Sequence, residues 1–396
     1  MIIIIRLKSA IWLNCCQIIT VKNMKYLLCF SHLSWNFVYQ RPQHLLSRFS
    51  KHYQVFYFEE PKIGDSDMCI VNLQDGIYIV ELLIKSYDDN VNGRIGNLIS
   101  QVLEQYDIKN YISWYYTPMA LQFTRHLGPE KVIFDSMDEL SAFKFAPPQL
   151  LQLEEELFAK ADVVFTGGNS LYEAKKNRHH NIYSMPSSID KDHFGQARTF
   201  QHDPYDQNSI AHPRLGFFGV VDERFDVELL REVSAKRPDW QFVIIGPIVK
   251  INPDDLPRAE NIHYLGSKTY SELPQYIAHW DIALILFALN ESTEFISPTK
   301  TPEYLAAGKP VISTAIKDVV NPYGNAGLVQ IIDDSDSFIS SAENIFNEKE
   351  TDHWLRTVDH FLEDDSWDHT FERMNSLINN ITVNISIPAE NLKKAN

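Results

Sequence analysis

Cysteine is scarce in this chain of 396 residues: Cys15, Cys16, Cys29 and Cys69, all in the first fifth. None forms a CxxC pair, so the spacing supports neither a zinc site nor a disulfide framework, and a reducing compartment is expected. Glycine is thin as well, with 15 residues and none before Gly64. Basic charge is outnumbered, 36 Lys+Arg against 52 Asp+Glu, for a formal charge of −16. The deficit is uneven: residues 1–196 hold 19 basic against 21 acidic side chains, and the remainder 17 against 31. Such a balance excludes a nucleic-acid partner, because phosphate binding needs a basic surface. It leaves the first half, but not the second, able to make peripheral contact with an anionic membrane. Long apolar runs are missing too. Residues 1–23 are apolar but broken by Arg6 and Lys8, carry no small-residue cleavage site, and are too short to span a bilayer. Met24 opens a better element, MKYLLCFSHL, so residues 1–23 are expected to be an upstream extension, non-native or disordered; an interfacial anchor is the alternative.

No repeat and no low-complexity tract is visible. What the chain does have is an alternation of short apolar runs with longer amphipathic stretches, the pattern of parallel sheets covered by helices. The runs predict strands at 25–30, 54–58, 77–80, 111–114, 131–134 and 162–166, with helices at 41–50, 93–106, 147–160 and 169–177. A polar stretch without periodicity, 196–213, reads as a linker. The alternation then restarts, with strands at 214–218, 240–245, 261–264, 281–286, 310–313 and 328–332. Helical patterns fall at 226–236, 270–279, 302–307 and 335–347. Two further ones, 351–362 and 366–380, have no strand after them. The expected fold class is therefore α/β, with two Rossmann-like domains facing each other across a central cleft. The boundaries are 24–195, a linker at 196–213, then 214–365. The segment 366–396 is read as a helix packing back across the domain junction, plus a tail.

Open parallel sheets bind ligands beyond the carboxyl ends of their strands. At such an end lies SPTKTPEYLAAGKPV, residues 297–311. Pro302 suits a first helical turn and Gly308 a helix stop, so Ser297 to Thr301 open into a helix N-terminus. Free amides there attract anions, Lys300 adds a positive charge suited to a diphosphate, and Glu303 could accept hydrogen bonds from ribose hydroxyls. Equally, Glu303 could simply complement the helix dipole and Lys300 be a solvated loop residue. In the loop 31–45, Trp35, Tyr39, Gln40, Arg41 and His44 could line an acceptor pocket, the aromatics offering faces for sugar stacking. For Trp35 and Tyr39 the competing assignment is packing against the first helix.

The segment 297–311 resembles the donor-binding helix of GT-B glycosyltransferases, particularly the retaining family-4 or "group 1" enzymes. Other landmarks are collinear with it: ADVVFTGGNSLYEA (161–174), PSSIDKDHF (186–194), FVIIG (242–246), NIHYLG (261–266) and DIALIL (281–286). The resemblance, over roughly 24–380, implies a glycosyltransferase moving sugar from a nucleotide diphosphate-sugar, UDP-sugar favoured, to a glycan or lipid-linked glycan. It implies retention of configuration, a donor site in the C-terminal domain and an acceptor site in the N-terminal one. On this resemblance Ser297, Thr299, Lys300, Thr301, Glu303, Gly219, Arg224, Gly246 and Leu265 would bind donor. Trp35, Gln40, Arg41 and His44 would bind acceptor, and Lys300 and Asp138 would carry catalysis. Asp135 is a second candidate for meeting the sugar, and Asp138 also suits a helix N-cap.

Two departures stand out. The family's paired glutamates are eight residues apart, but the position eight before Glu303 is Phe295, with Glu294 out of register. The family's basic pair after the second domain's first strand is replaced in GVVDERFD (219–226) by Val220 and Phe225. Arg224 could substitute, or could pair with Asp226 or Glu228. The DxD triplets at 65–67, 190–192 and 334–336 are assigned no metal, since 52 acidic residues make chance triplets common. No cofactor is expected beyond the donor. A cytoplasmic location, in part peripheral to the inner membrane face, and a role in surface polysaccharide synthesis complete the expectation. A nucleotide-sugar epimerase on the same fold and a non-catalytic nucleotide-sugar or glycan-binding protein are the alternatives.

Overall fold

The computed structural model of the chain describes residues 25–348 and 351–381. The expectations for residues 1–23 and for the tail past 381 lie outside the described residues. Two sheets organise the rest. The first holds nine strands: β1 Lys25–Phe30, β2 Tyr53–Phe58, β3 Lys62–Ile63, β4 Met68–Gln74, β5 Ile77–Ile84, β6 Tyr111–Tyr115, β7 Lys131–Ser136, β8 Val163–Thr166 and β9 Ile182–Ser184. Their order is β3-β5-β2-β1-β6-β7-β8-β9, all parallel, with β4 added antiparallel on β5. The second sheet holds β10 Arg214–Phe218, β11 Gln241–Ile245, β12 Ile262–Gly266, β13 Ile282–Ile285, β14 Val311–Thr314 and β15 Val329–Ile332. Its order, β12-β11-β10-β13-β14-β15, is fully parallel, and the direction of winding reverses between β10 and β13.

Local sequence explains why these runs become interior strands. β10, β13 and β14 are buried at every position, as expected where helices cover both faces of a parallel sheet. Each sheet accordingly separates two apolar clusters, one on each face. Among the described residues no helix is long and apolar enough to cross a membrane.

Several elements go beyond the sequence expectation. β3, β4 and β9 were not anticipated, because β4 is half exposed and pairs through a two-residue turn at Asp75-Gly76 rather than through a helix. The segment 196–213 is polar, yet it is packed rather than free. Gln207 is fully buried, donating to the Tyr276 carbonyl and accepting from the Trp280 indole. The helix Trp367–Asn380 lies against the helix Arg41–Phe49, and its Trp367, Met374 and Ile378 complete the core of the N-terminal domain.

Candidate functional site

The carboxyl ends of β10 and β11 end in Gly219 and Gly246, with φ of +133° and +139°. Both φ values suit glycine alone, and a Cβ on Gly246 would sit 1.9 Å from the Gly219 carbonyl oxygen. The two backbones therefore touch at the floor of a cavity of about 740 Å³ between the domains. The cavity lies where the winding of the second sheet reverses, the position at which open α/β sheets leave a crevice.

Over that floor lies Lys300. A Cβ on Gly219 would meet its Cε at 2.3 Å, so the glycine makes room for the lysine. The ammonium sits 5.5 Å from the Phe217 ring centroid and 5.3 Å from that of Phe287. Among the described residues it forms no salt bridge. Burial, with Arg224 nearby, pulls its pKa below the ordinary lysine value. Lys300 is the first residue of the helix Lys300–Ala306, so Pro302 falls third rather than first. That helix is pinned beneath β10, where the Phe218 amide donates to the Tyr304 hydroxyl at 3.0 Å. Glu303, one turn along, is buried on the cavity wall, and burial raises its pKa. Two apolar rings thus flank a buried cation whose charge the nearby carboxylates of Glu303, Asp222 and Asp138 favour without forming a salt bridge among the described residues.

Of the remaining donor candidates, Ser297, Thr299, Gly219, Gly246 and Arg224 line the cavity, but Thr301 and Leu265 do not. Thr301 is fully buried, its hydroxyl without a partner among the described residues, and Leu265 packs against the domain core. Arg224 is held by Asp222 through Nε at 3.0 Å and Nη2 at 2.6 Å, not by Asp226 or Glu228. Asp226 instead caps the helix Val227–Lys236, and Glu228 pairs with Arg231. Glu294 is bound to Lys317 at 2.9 Å, away from the cavity.

On the opposite wall Asp138, Trp35, Gln40 and Arg41 line the cavity. Asp138 makes no capping bond, and burial raises its pKa, with Arg224 opposing. Arg41 is not free to take a ligand. Its Nε and Nη2 grip Asp135 at 3.0 and 2.9 Å, and Nη1 donates to the Met185 carbonyl at 2.7 Å. That pair answers for Asp135 as well, which is fully buried beneath the wall. His44 is buried away from the cavity, stacked on Trp367 at 4.6 Å, and desolvation pushes its pKa down to about 3. Trp35 packs edge-on against Tyr57 while its backbone amide donates to Glu59.

The sequence reading missed Tyr270. Its ring stacks on Tyr39 at 4.4 Å and on His193 at 4.2 Å, closing one end of the cavity, and its hydroxyl is buried without a partner. The available signal was the capping box formed by Thr269 and Glu272, which marks a helix start at a cavity edge. The three acidic triplets have other duties: Asp67 binds Arg94, Asp190 caps the helix Lys191–Gly195, and Asp334 caps Ser335–Asn347. Among the described residues no three His, Cys, Asp or Glu side chains are grouped to hold a metal.

Two parallel-sheet domains meeting over such a cavity define the GT-B fold, and the comparisons agree. Residues 212–348 match the family model described as Glycosyl transferases group 1. TuaH of Bacillus subtilis (strain 168), whose name assigns it to teichuronic acid biosynthesis as a glycosyltransferase, is 31% identical over 103 residues. That match spans 25% of this chain and 26% of the relative. Sucrose-phosphate synthase from Thermosynechococcus elongatus superposes with a TM-score of 0.67 at 12% identity, covering 90% of this chain and 98% of its own. Anabaena HepE in complex with UDP and glucose gives 0.66 at 13% identity, covering 90% and 100%. The chain has the GT-B fold, and its residues 212–348 are similar to the group 1 glycosyltransferases.

Proposed function

We propose that the chain is a glycosyltransferase that moves a sugar from a nucleoside diphosphate-sugar to a hydroxyl of a glycan acceptor, with retention. The observation that carries this reading is Lys300: a desolvated ammonium on a glycine floor, lining the cavity and in no salt bridge among the described residues. A diphosphate is the ligand whose charge such a group answers. The Thr299 and Lys300 amides, which donate to no acceptor among the described residues, add to it. Glu303 and Asp138 both line the cavity, and on this reading Glu303 accepts from ribose hydroxyls while Asp138 meets the sugar.

In the reaction the acceptor oxygen forms a bond to the anomeric carbon as the bond from that carbon to the β-phosphate oxygen breaks. The acceptor proton passes to the leaving diphosphate, whose growing charge Lys300 offsets. Uridine is the favoured base, supported by the UDP in the HepE complex. Surface polysaccharide synthesis in the cytoplasm, at the membrane face through the N-terminal domain, is the favoured setting. TuaH's name and the near-neutral first half of the chain support it.

The test is a thermal-shift series with UDP, GDP and ADP and their glucose conjugates, followed by nucleotide release with and without a glycan acceptor. A ligand at 100 times its Kd should add about 2.7 kcal/mol. Stabilisation by none of these ligands refutes the donor site. Binding with release that is indifferent to acceptor refutes transfer, and epimerised sugar recovered without acceptor would indicate the epimerase instead.

A further inference from the structure

Gly167 and Gly168, at the end of β8, carry a contact that the proposed reaction does not use. A Cβ on Gly167 would lie 2.1 Å from the Met137 carbonyl oxygen, so this turn sits directly beneath the Met137-Asp138 wall of the cavity. A Cβ on Gly168 would lie 2.3 Å from Asp318 Oδ2 and 2.7 Å from Ser297 Cβ. Asp318 and Ser297 belong to the other domain, Ser297 being on the loop that leads to Lys300. Asp318 is buried, and its Oδ1 accepts the Ser170 amide at 2.9 Å, in the first turn of the helix Asn169–Lys175. One carboxylate of the C-terminal domain therefore caps a helix of the N-terminal domain while touching the donor-side loop. It stands between the two walls of the cavity without lining it.

We propose that Asp318 is a positioning residue: by capping the helix Asn169–Lys175 across the domain boundary it holds the Ser297–Lys300 loop in register with the Asp138 wall. The inference rests on the glycosyltransferase reading for its kinetic consequence, not for its geometric one. The nucleotide contacts argued above belong to the C-terminal domain, whereas transfer needs both walls. Loss of the clasp therefore separates turnover from nucleotide affinity. Burial pushes the Asp318 carboxyl up, opposed by the Ser170 amide and hydroxyl, the Asn169 amide and the Ser297 hydroxyl, donors drawn from both domains. Gly168 follows from this close approach, since any side chain there would occupy the space of the carboxylate.

The experiment uses the full chain with Asp318→Ala and, independently, Gly168→Ala, which wedges the contact open without altering charge. Small-angle scattering with and without UDP reads the domain arrangement, calorimetry reads UDP affinity, and UDP release from UDP-glucose reads turnover. The expected result is a larger radius of gyration in both variants, UDP affinity within 3-fold of the parent, and release slower by about 10-fold or more. An unchanged radius of gyration in both variants overturns the proposal, as does UDP affinity that falls in step with release. If Asp318→Ala does not fold, Asp318→Asn carries the comparison. It keeps an oxygen for the Ser170 amide, so smaller shifts in the same direction are expected, and none at all overturns the proposal. A parent protein that binds no UDP, GDP or ADP refutes the glycosyltransferase reading alone; the scattering arm still judges the clasp.

Discussion

Lys300→Met removes the ammonium while keeping an unbranched side chain over Gly219 and between the Phe217 and Phe287 rings. Two opposite effects are expected. In the free protein burial, with Arg224 nearby, disfavours the charged ammonium, and Glu303, Asp222 and Asp138 offset only part of that cost. Taking the charge away should therefore leave stability unchanged or raise it, by about 1–2 kcal/mol, as for other functional sites that hold a costly group. In the proposed reaction the same ammonium would meet charge that grows on the leaving diphosphate. Arg224 is already committed to Asp222, so no second cation shares that role. Losing one such electrostatic partner costs about 100-fold in kcat, or about 2.7 kcal/mol. Ground-state nucleotide keeps the Thr299 and Lys300 amides, so donor KM should move much less. Lys300→Arg should restore only part of kcat, because a planar fork does not fit the space made by Gly219 for a point charge. The assay is steady-state kinetics on a matched donor and acceptor, with calorimetry for UDP and thermal unfolding. A raised KM with kcat untouched would assign Lys300 to uniform binding. A variant that unfolds well below the parent would refute the claim that the free ammonium is a burden to the fold.

Glu303→Ala should weaken UDP binding by about 1.5–3 kcal/mol in a folded protein, the worth of charge-assisted bonds to ribose; calorimetry showing parental affinity would reject that role. Gly219→Ala should destabilise by about 1–3 kcal/mol through its positive φ and also displace Lys300, so denaturant unfolding and kcat should fall together. His44 gives a pH signature. Its folded pKa is about 3 against an unfolded value of about 6.5, so the unfolded chain binds the extra proton between those limits. Its contribution is complete above pH 6.5 and is lost as pH falls toward 3, by about 2 kcal/mol at pH 5. His44→Phe keeps a ring on Trp367 and should flatten that part of the stability profile; an unchanged slope between pH 7 and 5 would refute the assignment.

The elements legible in the sequence are those whose pattern is local. β1 and β10 lie at their expected residues because a parallel strand covered on both faces reads as a short, near-continuous apolar run. The loop carrying Lys300 and Glu303 was legible because proline and glycine mark its helix. What stayed hidden depends on partners remote in sequence. Nothing in the run around Arg41 announces that Asp135, 94 residues away, fills its guanidinium, so a buried clamp looked like a free ligand. His44 reads as polar until Trp367, from the far end of the chain, stacks on it. Thr301 differs from Lys300 only in which side of one helical turn it occupies, and the two fall on opposite sides of the wall.

The two departures from the family pattern can be understood together through charge. Glu294, nearest to the missing first glutamate, points to Lys317 instead, and Arg224, nearest to the missing basic pair, is neutralised by Asp222. The pattern thus loses one acid and two bases, and Arg224, although it lines the cavity, does so as half of an ion pair. On the proposed reading the diphosphate would therefore rest on Lys300, whose place the glycine floor fixes. Gly219 is in this sense as much part of the site as Lys300, since a Cβ there would occupy the lysine's own place. A motif search for basic residues passes over a glycine, whereas the close approach of its backbone to the lysine makes its role plain.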